Sequence, residues 1–242
     1  MRDDIFQRLL KEFTLFFITA LIGSIIYVIL ELLVSNKIYS ILITSITVVI
    51  LFTILIYYFF KKREKLLGII NVFQRFDDAP STFEIIKGAQ INVEFMGISA
   101  RTFFESEEVE ELMKKKIREG VCFKFFVLDP SSKYLESKAQ DEGDDPEAWK
   151  HDINGSIRRL NRIKKETKTN RIEIRKYDFL PIWRTIFIDN KIGYITYYPH
   201  GHRGKHAPVF VVTHGETGLY TPIYRTFLHY WERSAEEVLH GE

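Results

Sequence analysis

The densest group of residues that could do chemistry lies in segment 198–206. Aromatic, imidazole and cationic side chains surround two glycines there, and they are Tyr198, His200, His202, Arg203, Lys205 and His206. Imidazole, guanidinium and ammonium groups donate hydrogen bonds to phosphate oxygens, while glycines let the backbone come close to a ligand. The segment therefore favours a phosphate-binding loop. A surface loop with incidental histidines is the main alternative, and a metal site is the weaker one because Arg203 and Lys205 would repel a cation.

A second polar group follows the first predicted strand. Ser99 and Arg101 come directly after the apolar run 91–98. In open α/β sheets, ligands bind beyond the carboxyl ends of the strands. We therefore expect both residues to share a phosphate site with Arg184 and the 198–206 loop. The alternative for Arg101 is an ion pair with one of two nearby glutamates, Glu105 or Glu108.

An alternating α/β scaffold must position these residues. Apolar runs of strand length predict strands at residues 91–98, 121–128, 171–177, 184–188, 192–197 and 209–212. Apolar residues at helical spacing predict helices at 107–119, 153–167 and 222–238, and a further helix that starts at Ser81. Strands buried on both faces and alternating with helices predict a mostly parallel or mixed sheet covered by helices.

The connecting segments are predicted as follows. Ser81 and Glu84 have the spacing of a capping box at a helix start. Residues 66–80 continue an apolar helical pattern and then break at Asp77–Pro80, which predicts a stalk. Residues 133–152 are polar and acidic, which predicts an exposed loop.

The composition excludes several classes of protein. The chain has 242 residues, 46% of them hydrophobic, a formal net charge of +2 and one cysteine, Cys122. These values exclude a disordered chain and a disulfide scaffold, and they argue against a polybasic protein that coats nucleic acid. Charge is nevertheless segregated: segment 77–147 has 17 acidic and 9 basic residues, and segment 151–206 has 13 basic and 5 acidic. The basic half suggests a phosphate or polyanionic ligand, although the cations of helix 153–167 also fit a solvated face.

The first sixty residues predict a membrane anchor. Residues 13–34 carry one charge, Glu31, and residues 38–60 carry none. Each run exceeds the roughly 20 residues that a helix needs to cross a bilayer. The three residues between the runs allow only a tight hairpin. A signal peptide fits poorly because a second apolar run follows directly.

The cationic residues predict the orientation of this hairpin. Its turn carries Lys37 alone, whereas four cations follow the second run, namely Lys61, Lys62, Arg63 and Lys65. The positive-inside rule places both termini in the cytoplasm, as in a multi-pass protein of the cell inner membrane. Two helices cannot enclose a pore, so a pore would require a homo-oligomer such as a tetramer; simple anchoring is the alternative. The predicted domains are 1–65 for the membrane helices, 66–80 for the stalk and 81–242 for a cytoplasmic domain.

The order of elements over residues 81–242 resembles one half of the phospholipase D superfamily. The resemblance is carried by the helix and strand of segment 84–100, by the helix 107–119, by the strand ending at residues 127–130 (Val-Leu-Asp-Pro), and by the hairpin centred on Asp189. It implies a phospholipase D-like α/β fold for the cytoplasmic domain. Membrane-anchored cardiolipin synthases have a similar layout, with two N-terminal helices, but they carry two complete motifs.

The catalytic signature of that superfamily is only partly present. It reads His-x-Lys, four residues, then Asp. With Asp189 as the aspartate, the lysine position falls on Arg184 and the histidine position on Ile182. In the superfamily, the histidine attacks phosphorus and the lysine neutralises the phosphate. Ile182 cannot attack, whereas Arg184 can still bind phosphate through its planar fork. The superfamily also builds one site from two halves, and this chain has one, so the resemblance implies a phosphate-binding fold that has lost catalysis.

Together these features predict a membrane effector. Its cytoplasmic domain would bind a phosphorylated small molecule, a nucleotide or a short oligonucleotide, and would control the assembly or gating of a transmembrane pore. The layout is similar to that of bacterial antiphage effectors that act by abortive infection. No metal or cofactor is predicted. One alternative is a membrane-anchored phosphodiesterase or phospholipid-modifying enzyme with a histidine of the 198–206 loop as nucleophile. Another is an interaction module whose acidic and basic halves dock other copies.

Overall fold

The computed structural model describes residues 22–25, 27–29, 32, 37–201, 204–215 and 218–234. The chain divides into two compact units, Met1–Arg63 and Glu64–Glu242. Helix α1 (Lys37–Leu67) is 31 residues long and includes the second predicted membrane segment, 38–60. Most of the first predicted segment, 13–34, lies outside the described residues. Within the part of the chain that is described, no helix is both long enough and apolar enough to count as a membrane span.

The second unit is a mixed α/β domain. Its strands are β1 (Ile69–Phe73), β2 (Asn92–Gly97), β3 (Cys122–Leu128), β4 (Ile172–Tyr177), β5 (Trp183–Ile188), β6 (Ile192–Tyr197) and β7 (Val209–Thr213). Its helices are α2 (Thr82–Lys87), α3 (Glu107–Arg118), α4 (Lys133–Asp141), α5 (Pro146–Thr167) and α6 (Tyr220–Arg233). Three short 3-10 turns complete it: Phe76–Asp78, Arg101–Phe104 and Gly204–His206.

The seven strands form one mixed sheet in the order β1-β7-β6-β5-β2-β3-β4. The β2-β3-β4 half is parallel, and the strands from β5 to β1 are antiparallel to their neighbours. This confirms the mixed sheet predicted from the alternation of strands and helices. The predicted hairpin between β5 and β6 is also confirmed, and Asp189 and Asn190 have the positive φ values, 53° and 55°, that such a tight turn requires.

Alternating side chains of the central strands form two apolar layers. On one face, Phe95 and Phe125 contact Phe103 of the 101–104 turn at ring distances of 5.6 and 4.9 Å. On the other face, Phe126 and its neighbours pack against α6, with Phe126 and Trp231 separated by 5.6 Å. Successive residues of a strand point to opposite faces, so the near-continuous apolar sequence of β3 follows from burial on both sides.

The predicted stalk is wrong for most of residues 66–80. Helix α1 ends at Leu67 because Gly68 adopts a positive φ of 67°. The chain then forms β1, which pairs with β7 at the edge of the sheet. The apolar residues that suggested a continuing helix, such as Ile70 and Val72, belong to this strand. An apolar run this short is compatible with either a helix or a strand. Pairing with β7, which is distant in sequence, makes it a strand.

The predicted loop at residues 133–152 is also wrong, because it contains α4 and the first two turns of α5. Ser132 caps α4 by accepting a hydrogen bond from the Tyr134 N–H at 3.2 Å. Asp145 caps α5 by accepting from the Glu147 N–H at 3.0 Å, and Pro146 occupies the first helical position. Some of the acidic residues that suggested a loop are therefore helix-start residues.

Other boundaries differ by a few residues. Ser81 caps α2 as predicted, since its Oγ accepts a hydrogen bond from the Glu84 N–H at 3.3 Å. The closing helix α6 begins at Tyr220 rather than at residue 222. The end of the predicted range, residues 235–238, lies outside the described residues.

Candidate functional site

The candidate site is built around Arg184, near the start of β5. The pairing of Met96 with Thr185 puts Arg184 beside the carboxyl end of β2, and Thr196 of β6 pairs with it on the other side. The residue is only 8% exposed. Its guanidinium carbon lies 3.9 Å from the centre of the Phe76 ring. A strand in the middle of the sheet therefore carries a cation into the interior.

The hydrogen-bonding edge of this arginine is vacant. Both Nε and Nη2 of Arg184 are buried, and neither has a hydrogen-bond partner among the described residues. These two atoms carry the parallel N–H groups that hold a carboxylate or phosphate in bidentate fashion. Burial lowers the pKa of Arg184, and the attraction of Tyr198 and Glu105 opposes that effect. Two buried N–H groups of a cation that have no partner among the described residues are costly, so this arrangement calls for a functional explanation.

Tyr198 lies against the same end of the sheet. Its hydroxyl oxygen accepts a hydrogen bond from the Ile98 N–H at 3.1 Å, which leaves the hydroxyl proton for another acceptor. Burial raises the pKa of Tyr198, while Arg184 lowers it. Gly97 leaves room for this arrangement, because a Cβ there would lie 2.7 Å from the Phe95 ring and 3.2 Å from the Tyr198 hydroxyl. The tyrosine is thus positioned as a neutral hydrogen-bond donor.

An open cleft of about 170 Å³ adjoins Arg184. Its polar lining includes the hydroxyl-bearing residues Ser99, Thr102, Thr196 and Tyr198. Besides Tyr198, two aromatic residues contribute to the walls, Phe76 from the 76–78 turn and Trp149 from the first turn of α5. The cleft lies beyond the carboxyl end of β2, which is where open α/β sheets place their ligands.

Two carboxylates also line the cleft, and each has a cationic partner. Asp152 accepts a hydrogen bond from Nη1 of Arg101 at 2.8 Å. Glu142 has Nζ of Lys138 at 3.1 Å, although the angle there is not that of a hydrogen bond. Burial raises the pKa of Glu142, against the attraction of Lys138. Because both carboxylates are paired, Arg184 is the lining residue with free charged donors.

Three of the predicted ligand-binding residues meet in this cleft, namely Ser99, Arg184 and Tyr198. Arg101 lies outside it, and its side chain is 71% exposed. It does form an ion pair, as the alternative interpretation expected, but with Asp152 rather than with Glu105 or Glu108.

The two described histidines of the 198–206 loop, His200 and His206, do not line the cleft. The side chain of His200 is 88% exposed, and its Nδ1 lies 3.4 Å from Oδ2 of Asp141. His206 is exposed as well. His202 and Arg203 lie outside the described residues. Among the described residues, there is no group of three histidine, cysteine or acidic side chains that could hold a metal ion.

Sequence reasoning missed several lining residues. Thr102, Glu142 and Trp149 were assigned to connecting segments, and Phe76 to the stalk. Trp149 and Asp152 come from the first two turns of α5, which the sequence analysis placed in a loop. A signal was present in Asp145-Pro146, which is a typical helix start. For Phe76, no local signal exists, because its contact with Arg184 joins residues distant in the chain.

The other two positions of the expected signature have different surroundings. Ile182 is 52% exposed and precedes β5. Asp189 lies at the far end of β5, where its carboxylate accepts hydrogen bonds from the backbone N–H groups of Gln90, Ile91 and Asn92 at 2.6–3.1 Å. Asp189 therefore holds the turn that enters β2 and takes no part in the cleft.

No protein-family model and no curated protein sequence matches this chain. Among solved structures, it is similar to Nuc, a phospholipase D family member from Salmonella typhimurium, at 15% identity and a TM-score of 0.39 over 64% of this chain and 87% of that one. It is also similar to phosphatidylserine synthase from Haemophilus influenzae, at 10% identity and a TM-score of 0.45 over 64% of this chain and 35% of the synthase. Likenesses this low transfer no residue role and no activity to this chain.

Proposed function

We propose that the folded domain binds a phosphate-bearing ligand in the Arg184 cleft and that the protein is a membrane effector controlled by this ligand. The observation that carries the proposal is the fork of Arg184, whose Nε and Nη2 are buried and have no hydrogen-bond partner among the described residues. A phosphate oxygen pair satisfies both N–H groups at once, and no neutral ligand compensates the buried charge as well.

The surroundings of the fork support a phosphate in particular. Tyr198 keeps a hydroxyl proton to donate, and the Ser99 side chain lines the same cleft. The volume of about 170 Å³ corresponds to roughly five or six water molecules. That space suits one phosphate group, and the remainder of a nucleotide or oligonucleotide would extend through the open mouth. Trp149 in the wall offers a ring on which a base could stack.

The membrane part of the proposal rests on the sequence. Residues 38–60 carry no charge and belong to one continuous helix, α1, and four cations follow them between residues 61 and 65. We propose that this segment, with residues 13–34, anchors the protein in the cell inner membrane with both termini in the cytoplasm. In the full proposal, ligand binding controls the assembly or gating of a pore made by a homo-oligomer, and the output is antiphage defence by abortive infection.

A non-enzymatic role is part of the same proposal, because isoleucine occupies the position expected for the nucleophile. The alternative is a phosphodiesterase that uses His200, and one contact favours it. Asp141 lies 3.4 Å from Nδ1 of His200, as an orienting carboxylate would. Phosphodiester turnover that disappears in His200→Ala would establish the enzyme and overturn the binding role.

The binding site is tested by titrating the full-length protein in mild detergent with inorganic phosphate, AMP and a short oligonucleotide at low salt. Arg184→Met removes the fork and the charge, whereas Arg184→Lys removes only the fork. We expect both variants to lose about a hundredfold in affinity for at least one of these probes. Arg158→Ala is the matched control, because Arg158 is an exposed cation outside the cleft. Binding that survives Arg184→Met but falls in Arg158→Ala would overturn the proposal.

A separate experiment tests the anchor. Full-length protein and a variant lacking residues 1–63 are expressed and separated into membrane and soluble fractions under alkaline carbonate. We expect the full-length protein to stay in the membrane fraction. Its release by carbonate would overturn the membrane part of the proposal and leave the phosphate site unaffected.

A further inference from the structure

We infer that the Phe76–Asp78 turn is a lid over Arg184 that must move before the fork can take an anion. The inference rests on the proposed phosphate site and concerns how that site opens. It starts from an apparent conflict: the cleft beside Arg184 is open to solvent, while the two N–H groups that would bind a phosphate are buried.

The first step is that the fork is closed. Nε and Nη2 of Arg184 are buried and have no hydrogen-bond partner among the described residues. A phosphate oxygen must come to about 2.8 Å from each nitrogen to accept a hydrogen bond. No oxygen can reach that distance until a group that covers the nitrogens has moved.

The second step identifies the group that can move at the smallest cost. Thr196 belongs to a central strand, and its hydroxyl donates to the Pro208 carbonyl oxygen. Tyr198 is held by its hydrogen bond with the Ile98 N–H. Phe76, in contrast, belongs to a three-residue turn with no buried residue and no side-chain cap. Its ring is held by packing alone among the described contacts, and it lies 3.9 Å from the guanidinium carbon.

The third step is that Phe76 lines two spaces beside Arg184. One is the cleft described above. The other is a smaller cavity of about 20 Å³, which Arg184 and Phe76 also line, together with Pro80 and Tyr194. Displacing the ring would join the two spaces around the guanidinium group. The Gly204–His206 turn contacts the 76–78 turn and contributes Gly204 to the cleft.

The fourth step is energetic. In the closed state, the Phe76 ring lies over the guanidinium group, two of whose nitrogens are buried and have no hydrogen-bond partner among the described residues. In the open state, this cation–π contact is lost, but the guanidinium group can turn its N–H groups toward the freed space and bind an anion. An anion that binds only the open form shifts the population toward the open form. The apparent affinity equals the affinity of the open form multiplied by the fraction of molecules that are open.

The test uses full-length protein in detergent and inorganic phosphate as the probe. Stopped-flow mixing would follow tryptophan fluorescence, since Trp149 lines the cleft. We expect Phe76→Ala to raise the association rate constant about tenfold and to lower the apparent Kd. Phe73→Ala is the matched control, because Phe73 is a half-buried aromatic residue of β1 that lines neither cavity. We expect this control to bind at the wild-type rate.

A second measurement covers the case in which Phe76→Ala fails to fold. The turn contains two backbone hydrogen bonds, from Asp78 to Arg75 and from Ala79 to Phe76, both 3.1 Å long. In the wild-type protein, we expect phosphate to accelerate hydrogen exchange at the Asp78 and Ala79 amides. Unchanged or slower exchange at these amides under saturating phosphate would overturn the lid.

The outcomes separate the lid from the phosphate site. If wild-type binding disappears in Arg184→Met while Phe76→Ala binds no faster than wild type, the phosphate site stands and the lid is wrong. If phosphate binds equally well to wild type and Arg184→Met, both are wrong. Faster binding in Phe76→Ala that is lost again in the double variant with Arg184→Met supports both.

Discussion

The charged side chains at the two ends of β5 have opposite hydrogen-bonding environments. At one end, the Asp189 carboxylate accepts hydrogen bonds from three consecutive backbone N–H groups. At the other end, the Arg184 guanidinium group is buried and its fork has no hydrogen-bond partner in the part of the chain that the structure describes. Both residues fall on positions of the expected phospholipase D signature. The difference teaches that the aspartate position serves the fold, whereas the arginine position is the one that our proposal assigns to a ligand.

The largest effect on stability is expected at the Asp189 end of β5, where the charged side chain has hydrogen-bond partners. Asp189→Ala leaves three backbone donors of the turn into β2 without their acceptor, so we expect a loss of about 3 kcal/mol in the free energy of unfolding. Urea denaturation measures this. Asp189→Asn is the control, since it tolerates the positive φ and keeps one acceptor oxygen; a loss equal to that of alanine would contradict the hydrogen-bond explanation.

Glu110 is a second charged residue with hydrogen-bond partners, and it makes the stability of the fold depend on pH. Glu110 is buried and lies within 3.0 Å of Lys114, Arg159 and Arg162. Burial acts to raise the pKa of Glu110, but hydrogen bonds from Arg159 and Lys114 outweigh it, and the pKa lies below its ordinary value. A carboxyl group whose pKa is lower in the folded than in the unfolded protein stabilises the fold at pH values above its unfolded-state pKa. The stabilisation by Glu110 is therefore lost as the pH falls through its folded-state pKa.

We therefore expect Glu110→Gln to lose about 2 kcal/mol near neutral pH. The difference from wild type should shrink as the pH falls below the ordinary carboxyl pKa of about 4.3. Denaturant titrations at several pH values test this. A difference that is constant with pH would mean that packing, and not charge, explains the loss.

At the vacant end, removal of the charge should not destabilise the fold. Arg184→Met fills similar space and removes a buried cation with two N–H groups that lack a partner among the described residues, so we expect the free energy of unfolding to rise by about 1 kcal/mol or to stay unchanged. Thermal and urea unfolding measure this in the absence of phosphate. A loss of 2 kcal/mol or more, like that expected for Glu110→Gln, would show that Arg184 serves the fold as Asp189 does.

The smallest effect on phosphate binding is expected for Tyr198→Phe. It keeps the ring but leaves the Ile98 N–H without its acceptor, which should cost about 1 kcal/mol of stability. The loss of the hydroxyl donor should also weaken phosphate binding about threefold to tenfold. Equal phosphate affinity in wild type and variant would remove Tyr198 from the site.

The sequence predicts the parts of this molecule that depend on local periodicity. The β5–β6 hairpin, the amphipathic α3 and the mixed sheet follow from apolar spacing and turn residues, and the arrangement of Arg184 with Ser99 follows from the rule about strand ends. Phe76 and Trp149 could not be placed in the same way. Their position depends on which distant elements pack together, and the charges of segment 133–152 suggested exposure although Lys138 is only 4% exposed.

The pairing of β1 with β7 sets an order of events during synthesis. Ile69 pairs with Val212, so the first strand of the domain to leave the ribosome has to wait for the last. Until then, β1 presents an unpaired edge with the apolar side chains Ile70 and Val72, and such edges promote aggregation. A chain that terminates before β7 leaves this edge permanently open. Completion of the domain is thereby coupled to the pairing of its first strand.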